Sequence, residues 1–280
     1  MVVRATAMDS DKRVELERYD RRAQAQLATG EPAPAGGFGA AAMRAYLRAP
    51  YLHYEACIAK LVLPQHQVLE LGAGAGLHTL GLAKTGAQVT ATDISPHALA
   101  LLQQRLHGVG MHVGTQVADM EALPFGDDSF DVVACAGCLS YGDPALVDAE
   151  IRRVLRPGGA FICVDSLNHN PIYRLNRLIH CYRGERTQST LARMPDGGRI
   201  QRILRHFSTA ETRYFGALTF AMPVLARIVR DQRAQSFSDW FDRVAKVERS
   251  AFKFVLVGKN LVKAQWCAGG RNGTIAPGCW

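Results

Sequence analysis

Two rhythms of apolar positions divide this chain. Between about positions 67 and 164, short β-prone runs alternate with stretches of helical spacing, and on either side the pattern is more charged. Gln67–Leu71 (QVLEL) predicts a strand feeding a glycine-rich turn, and Leu77–Thr85 a helix that stops at Gly86. A second strand is expected over Ala87–Thr92, followed by a helix over Pro96–His107 with Ser95 as its N-cap. Met111–Val117 is a weaker third strand and Phe130–Ala136 (FDVVACA) a fourth. A helix over Pro144–Leu155 ends at Arg156-Pro157-Gly158-Gly159, before a fifth strand over Ala160–Val164. Strands alternating with helices make βαβ units, so the fold class is α/β, a doubly wound and mostly parallel sheet covered on both faces.

The flanks read differently. Asp9–Leu27 is charged and helical, and TGEPAPAGGFGA (Thr29–Ala40) breaks it as a connector. A second helical stretch runs from Ala40 to Leu63 and is ended by Pro64. Beyond the fifth strand, Asn170-Pro171 opens a helix in which Ile172, Leu175, Ile179 and Tyr182 recur at helical spacing and are expected to face the core. Glu211–Phe215 and Ala251–Val257 (AFKFVLV) read as two further strands, and the tail after Lys263 is turn-rich. Four segments result: 1–63, a helical N-terminal segment; 64–165, the alternating core; 166–263, a cap with two strands; and 264–280, a loose tail.

Composition narrows the class without changing the picture. With 280 residues, 48 % hydrophobic and 21 % charged, the chain makes one large domain or a domain with a cap, not a disordered or fibrous protein. Lys and Arg number 33 against 25 acids, a formal charge of +8, which suits an anionic partner or a solvated basic surface. Seven scattered cysteines form no disulfide framework, and the start lacks an apolar leader, so the expected location is cytoplasmic. Ala217–Val229, interrupted by Pro223 and Arg227, is too short to span a membrane.

The candidate chemistry lies in Glu70-Leu71-Gly72-Ala73-Gly74-Ala75-Gly76, between a strand and a helix. Glycines there let backbone amides approach a ligand. A dinucleotide fingerprint needs its third glycine where Leu77 stands, so the G-x-G-x-G spacing favours a cofactor with no pyrophosphate. Asp93 ends the second strand beside this turn and can accept from both hydroxyls of a ribose. Asp119 can accept from an adenine amino group while Met120 packs on the ring. Asp131, at the start of its strand, reads as structural.

Taken in order, ELGAGAG, TDIS, VADMEALPF, SFDVV and RVLRPGG resemble the class I S-adenosylmethionine-dependent methyltransferases of the small-molecule type. The resemblance covers about Gln65 to Asp165. It implies a seven-stranded sheet with a reversed last hairpin, an N-terminal helical lid and a helical cap after the fifth strand. It also implies that Glu70, Gly72, Ala73, Gly74, Gly76, Asp93, Ile94, Asp119, Met120 and Ala136 surround S-adenosyl-L-methionine, with Tyr19 closing over it. The implied product is S-adenosyl-L-homocysteine, and the implied acceptor an oxygen or nitrogen of a small molecule, a secondary metabolite or sugar-like compound, for which an anionic character would suit the basic balance. A non-catalytic binder of the same cofactor, or an RNA or protein methyltransferase, stays as the alternative.

After the fourth strand the chain has Cys135-Ala136-Gly137-Cys138-Leu139-Ser140-Tyr141 where base-amino methyltransferases of this family carry an Asp/Asn-Pro-Pro-Tyr type motif. No DNA partner is therefore expected. No required metal is expected either, because metal-assisted catechol methylation in this family asks for acids at the ends of the fourth and fifth strands, and only Asp165, at the fifth, is present. Cys135 and Cys138 lack a second pair, and read as small apolar filling of the sheet. A hydroxyl acceptor would need a base at the carboxyl edge of the sheet. His169, four residues past Asp165, is named first because histidine titrates near neutrality, with Tyr141 and Asp165 in support and His206 in reserve. His169 reads equally well as a cap for the Asn170-Pro171 helix. Arg174, Arg177, Arg183, Arg186, Arg193, Arg199, Arg202 and Arg205 could hold an acidic acceptor or form a solvated face.

Overall fold

The structure is a computed structural model that describes residues 10–30, 37–182, 187–218 and 250–263, with positions 222, 233, 236 and 240–242 between the last two segments. The tail from 264 to 280, the connector's centre and Arg183, Arg186, Pro223 and Arg227 lie outside the described residues.

The elements form where local chemistry starts and stops them. Helix α1 (Ser10–Thr29) is followed by two short 3-10 turns and α2 (Arg48–Leu61), so the single helix expected from Ala40 begins a full two turns later. The core then runs β1 (Gln67–Leu71), α3 (Thr79–Ala83), β2 (Gln88–Asp93), α4 (Pro96–His107), β3 (Gly114–Val117), β4 (Phe130–Ala136), α5 (Pro144–Val154) and β5 (Leu155–Ser166). Ser95 Oγ accepts the Ala98 N–H at 3.0 Å and Pro96 fills the first helical position, which sets the start of α4. Asp143 caps α5 in the same way, accepting from Ala145 and Leu146. The Arg-Pro-Gly-Gly turn was expected to precede the fifth strand. Instead β5 begins at Leu155, whose partner is Phe130, and the turn is a kink within it at a register shift. Gly159 is required there, because a Cβ would stand 2.9 Å from the carbonyls of Arg156 and Asp131.

After β5 come α6 (Pro171–Tyr182), α7 (Gln188–Ala192), α8 (Gly197–Leu204), β6 (Phe207–Phe215) and β7 (Lys253–Leu261). The seven strands stand in the order β3-β2-β1-β4-β5-β7-β6. The first five pair in parallel, and β7 runs antiparallel to both of its neighbours. This is the doubly wound sheet with a reversed final hairpin. The order reverses between β1 and β4, and a crevice opens at the carboxyl ends of the strands there.

Strand alternation divides the core. Val68, Val132, Ile162 and Val255 pack with Tyr54 and Ile58 of α2 on one face. Leu69, Val133, Phe161 and Phe254 pack with Val147 and Ile151 of α5 on the other. Fully burying each such side chain contributes about 1.5–3 kcal/mol. Helix α6 departs from its expected orientation: Ile172, Leu175, Ile179 and Tyr182 are exposed. Tyr173 and Arg177 turn inward instead. The Tyr173 hydroxyl donates to the Gly216 carbonyl at 3.0 Å, and Arg177 donates to the Leu167 carbonyl at 2.9 Å with its guanidinium over the Phe252 ring.

Candidate active site

Loop 72–76 leaves β1 with left-handed backbone at Gly72, Gly74 and Gly76. At Gly72 (φ +60°) a Cβ would sit 2.5 Å from the Cβ of Cys138, so no larger residue lets the loop lie this close to the end of β4. Gly74 meets nothing within 4 Å and faces open space, and its N–H donates to Asp93 Oδ2 at 2.8 Å. Asp93 Oδ1 accepts from Ser95 N–H at 2.9 Å. Burial raises the Asp93 carboxyl above its ordinary value, while the N–H groups of Ser95, Gly74 and Ile94 pull against that shift. Two backbone bonds leave lone pairs on both oxygens for further donors.

A cavity of about 520 Å³ runs along the strand ends, within the usual size for a ligand pocket of roughly 300–1,000 Å³. Gly72, Ala73, Gly74, Asp93, Ile94, Asp119, Met120 and Ala136 line it. Helix α1 lies across its mouth: Lys12 Nζ pairs with Asp119 at 2.5 Å and with Glu121 at 2.9 Å. The Tyr19 hydroxyl hydrogen-bonds that of Tyr141, with the two rings edge-on at 5.5 Å. Asp20 accepts from Ser95 Oγ at 2.6 Å, which ties α1 to the start of α4.

The far end of the cavity is built by β4, β5 and β7. Asp165 lines it, with Oδ2 accepting from Leu139 N–H at 2.9 Å and Oδ1 from Ser166 N–H at 2.6 Å. Burial raises the Asp165 carboxyl, and the Lys253 ammonium counters that. Ser166, Lys253, His78, Tyr51 and Met194 complete this end. His78 stacks on Tyr51 at 4.9 Å. Burial, with Lys253 adding, pulls the His78 imidazole down to about 4, so the ring is neutral near pH 7.

Residues 69–163 match the family described as methyltransferase domain. This segment is a methyltransferase domain. The match covers about a third of the chain, from β1 to β5. An uncharacterised protein of Mycobacterium tuberculosis is 41 % identical over 97 residues, which is 34 % of this chain and 35 % of that protein. A demethylmenaquinone methyltransferase of Chlorobaculum parvum is 34 % identical over 117 residues, 41 % of this chain and 47 % of the relative. These matches therefore span less than half the length of either relative. Among solved structures, geranyl diphosphate C-methyltransferase of Streptomyces coelicolor, in complex with S-adenosyl-L-homocysteine, superposes with a TM-score of 0.60. At 13 % identity, over 93 % of this chain and 100 % of that one, it shows the shared fold.

Not every expected residue reaches the cavity of the methyltransferase domain. Glu70 stands behind the loop, 2 % exposed, and burial pushes its carboxyl up to about 7. Gly76 is a packing glycine, since a Cβ there would lie 2.8 Å from Leu102 of α4. His169 lies away from the cavity, because its Nε2 accepts the Gly197 N–H at 3.0 Å at the start of α8. His206 sits in a separate groove with Arg152 and Arg202, and burial together with the neighbouring arginines lowers its pKa. Neither histidine is placed to take a proton from a ligand at the strand ends. Two described members of the arginine series are held elsewhere: Arg199 is buried on Asp148 and the Leu139 carbonyl, and Arg177 on the Leu167 carbonyl. Asp131 accepts from Gln67 N–H at 2.8 Å and Arg156 at 2.7 Å, a fastening at the opposite ends of the strands. Cys135 and Cys138 are buried free thiols; burial pushes Cys135 upward, and the hydrogen bond with Cys135, then burial, does the same to Cys138.

Sequence reasoning missed Lys12, His78, Ser166, Met194 and Lys253. Lys253 had a visible signal, a single charge within the apolar run AFKFVLV. His78 follows the glycine loop by two residues.

Proposed function

We propose that this chain moves a methyl group from S-adenosyl-L-methionine to an oxygen or nitrogen of a small-molecule acceptor. The observation that carries the reading is one continuous cavity with two chemically different ends. Gly72, Gly74, Asp93 and Asp119 gather at one, and Tyr141, Asp165, Ser166 and Lys253 at the other. The donor end fits the cofactor. A Cβ at Gly72 would clash with Cys138, while Gly74 lies against open space and Asp93 stands beside it with lone pairs to spare.

When bound, the cofactor supplies an electrophilic methyl group on a sulfonium. The protein's own residues do the rest. Asp93 accepts from ribose hydroxyls, Asp119 from an adenine amino group, and Met120 packs against the ring. Tyr19 and Tyr141 close over the middle of the cavity and exclude water. The chain's main contribution is alignment, which can supply roughly 7–11 kcal/mol of barrier lowering.

The test is direct. Full-chain protein incubated with S-adenosyl-L-methionine and a small-molecule extract should form S-adenosyl-L-homocysteine above the level seen without extract. Binding of the cofactor with no product above background would reassign the chain as a silent binder. A high-molecular-weight RNA or protein fraction as the only effective acceptor source would overturn the small-molecule assignment.

A further inference from the structure

Lys253 is a buried cation with little to hold it. It is 9 % exposed, opens β7, and faces the cavity next to Ser166, its partner in the β5–β7 register. Its Nζ donates to Ser166 Oγ at 3.3 Å, a long bond, and lies 5.2 Å from the Tyr51 ring centroid and 5.5 Å from that of Phe252. Among the described residues no carboxylate forms an ion pair with it. The acid in reach of its field is Asp165, whose two oxygens already accept from Leu139 and Ser166 N–H groups. Ring faces compensate a buried ammonium only partly. Removing such a charge from water is costly unless an anion pairs with it.

Beside it is a second group without a partner. His78 Nδ1 is buried and makes no hydrogen bond, and His78 lines the same end of the cavity. Strand β7 lies past β5, on the side of the sheet away from Asp93 and Asp119. That separation assigns Lys253 to the acceptor rather than to the adenosine end.

We propose that Lys253, with Ser166 and His78 beside it, anchors a singly charged oxygen anion, a carboxylate or phenolate, on the methyl acceptor. The inference rests on the methyltransferase reading for what else the cavity holds, and deepens it by naming the acceptor class. One ammonium, beside an Asp165 carboxyl already held by two backbone N–H groups, can balance at most one negative charge on a ligand. A diphosphate would bring two or three and meet a single cation here. The Tyr51 ring, which lines the cavity beside the ammonium, also suits the flat apolar body of an aromatic acid.

The experiment titrates benzoate and its uncharged isostere benzamide into full-chain protein, with and without S-adenosyl-L-homocysteine, by calorimetry or ligand-observed NMR. Benzoate is expected to bind better than benzamide by roughly tenfold or more, the scale of a bond to a charged group. Lys253→Met should remove that preference while S-adenosyl-L-homocysteine affinity stays within about twofold. Lys253→Arg, which preserves the charge should the methionine variant fold poorly, should keep it. Equal binding of benzoate and benzamide to the wild type would overturn the proposal. So would a tenfold loss of S-adenosyl-L-homocysteine affinity in Lys253→Met, which would give the ammonium to the cofactor's own carboxylate. Failure of the wild type to bind S-adenosyl-L-homocysteine is a different result. It would reject the methyltransferase reading and leave the benzoate preference to be judged in the cofactor-free titration.

Discussion

The two ends of the cavity satisfy their charges in opposite ways. At the donor end the acids are held locally: Asp93 takes N–H groups from Gly74 and Ser95, and Asp119 takes the N–H of Glu121. At the acceptor end the cation Lys253 has one long bond, and the His78 ring nitrogen has none. The donor end is thus preorganised by its own loops before any ligand arrives. The acceptor end keeps groups whose partners come with the ligand. On the proposed reading, such a site would hold its cofactor through backbone and leave substrate choice to side chains, which can vary without disturbing the sheet.

The largest effect expected from this contrast is a pair of opposed pH dependences. Glu70, behind the donor loop, has its folded pKa raised from 4.5 to about 7 by burial. The stability it contributes is full below pH 4.5 and is lost as pH rises through about 7, by roughly 3 kcal/mol. His78, at the acceptor end, has its pKa lowered from 6.5 to about 4, so its contribution is present above pH 6.5 and is lost as pH falls through about 4. In the wild type the two largely cancel between. Glu70→Gln should therefore expose a stability that rises with pH from about 4 to 6.5, measured by urea unfolding at fixed pH values. A variant with the wild-type pH profile would show that Glu70 is hydrated and that the donor loop is not dry.

Asp93→Ala should weaken S-adenosyl-L-homocysteine binding by about 1.5–3 kcal/mol in calorimetry of folded protein. Wild-type affinity in that variant would break the contrast at its strongest point, since it would deprive the donor end of its principal acceptor.

A smaller effect is expected from α1, which touches both ends. Tyr19→Phe removes the hydroxyl that meets Tyr141 and should cost about 0.5–1.5 kcal/mol of S-adenosyl-L-homocysteine affinity. Hydrogen exchange over residues 10–29 should also slow when that ligand is bound to the wild type. Slowing confined to Gly72–Gly76 would mean that α1 is docked permanently and is no lid.

The same contrast explains what was legible in the sequence. The donor end is assembled from short contiguous motifs, so glycine spacing and the acids at the ends of β2 and β3 could be read in a line. Helix α4 and strand β4 were bounded correctly because their signals are local, Ser95-Pro96 before one and the run FDVVACA in the other. The acceptor end brings together Tyr51, His78, Ser166 and Lys253 from four separate elements, and no window of sequence contains them. His169 was attractive for its titration range and its distance from Asp165 along the chain, yet a neighbouring helix start captured its ring. Helix α6 misled for a related reason. Its apolar spacing was real, but the Gly216 and Leu167 carbonyls drew Tyr173 and Arg177 to the inside instead.

Strand β7 carries a consequence for how the chain is made. It lies between β5 and β6, so β5 is complete after residue 166 and stays an open edge until residues 253–261 arrive. During ribosomal synthesis at about 5–20 residues per second, that edge is unpaired for several seconds at least. An uncovered apolar edge is a template for mispairing with another nascent chain. The hairpin that delivers Lys253 is thus also the seal on the sheet, and a ribosome that stalls between residues 167 and 252 would release a chain with its donor loop formed and its aggregation-prone flank bare.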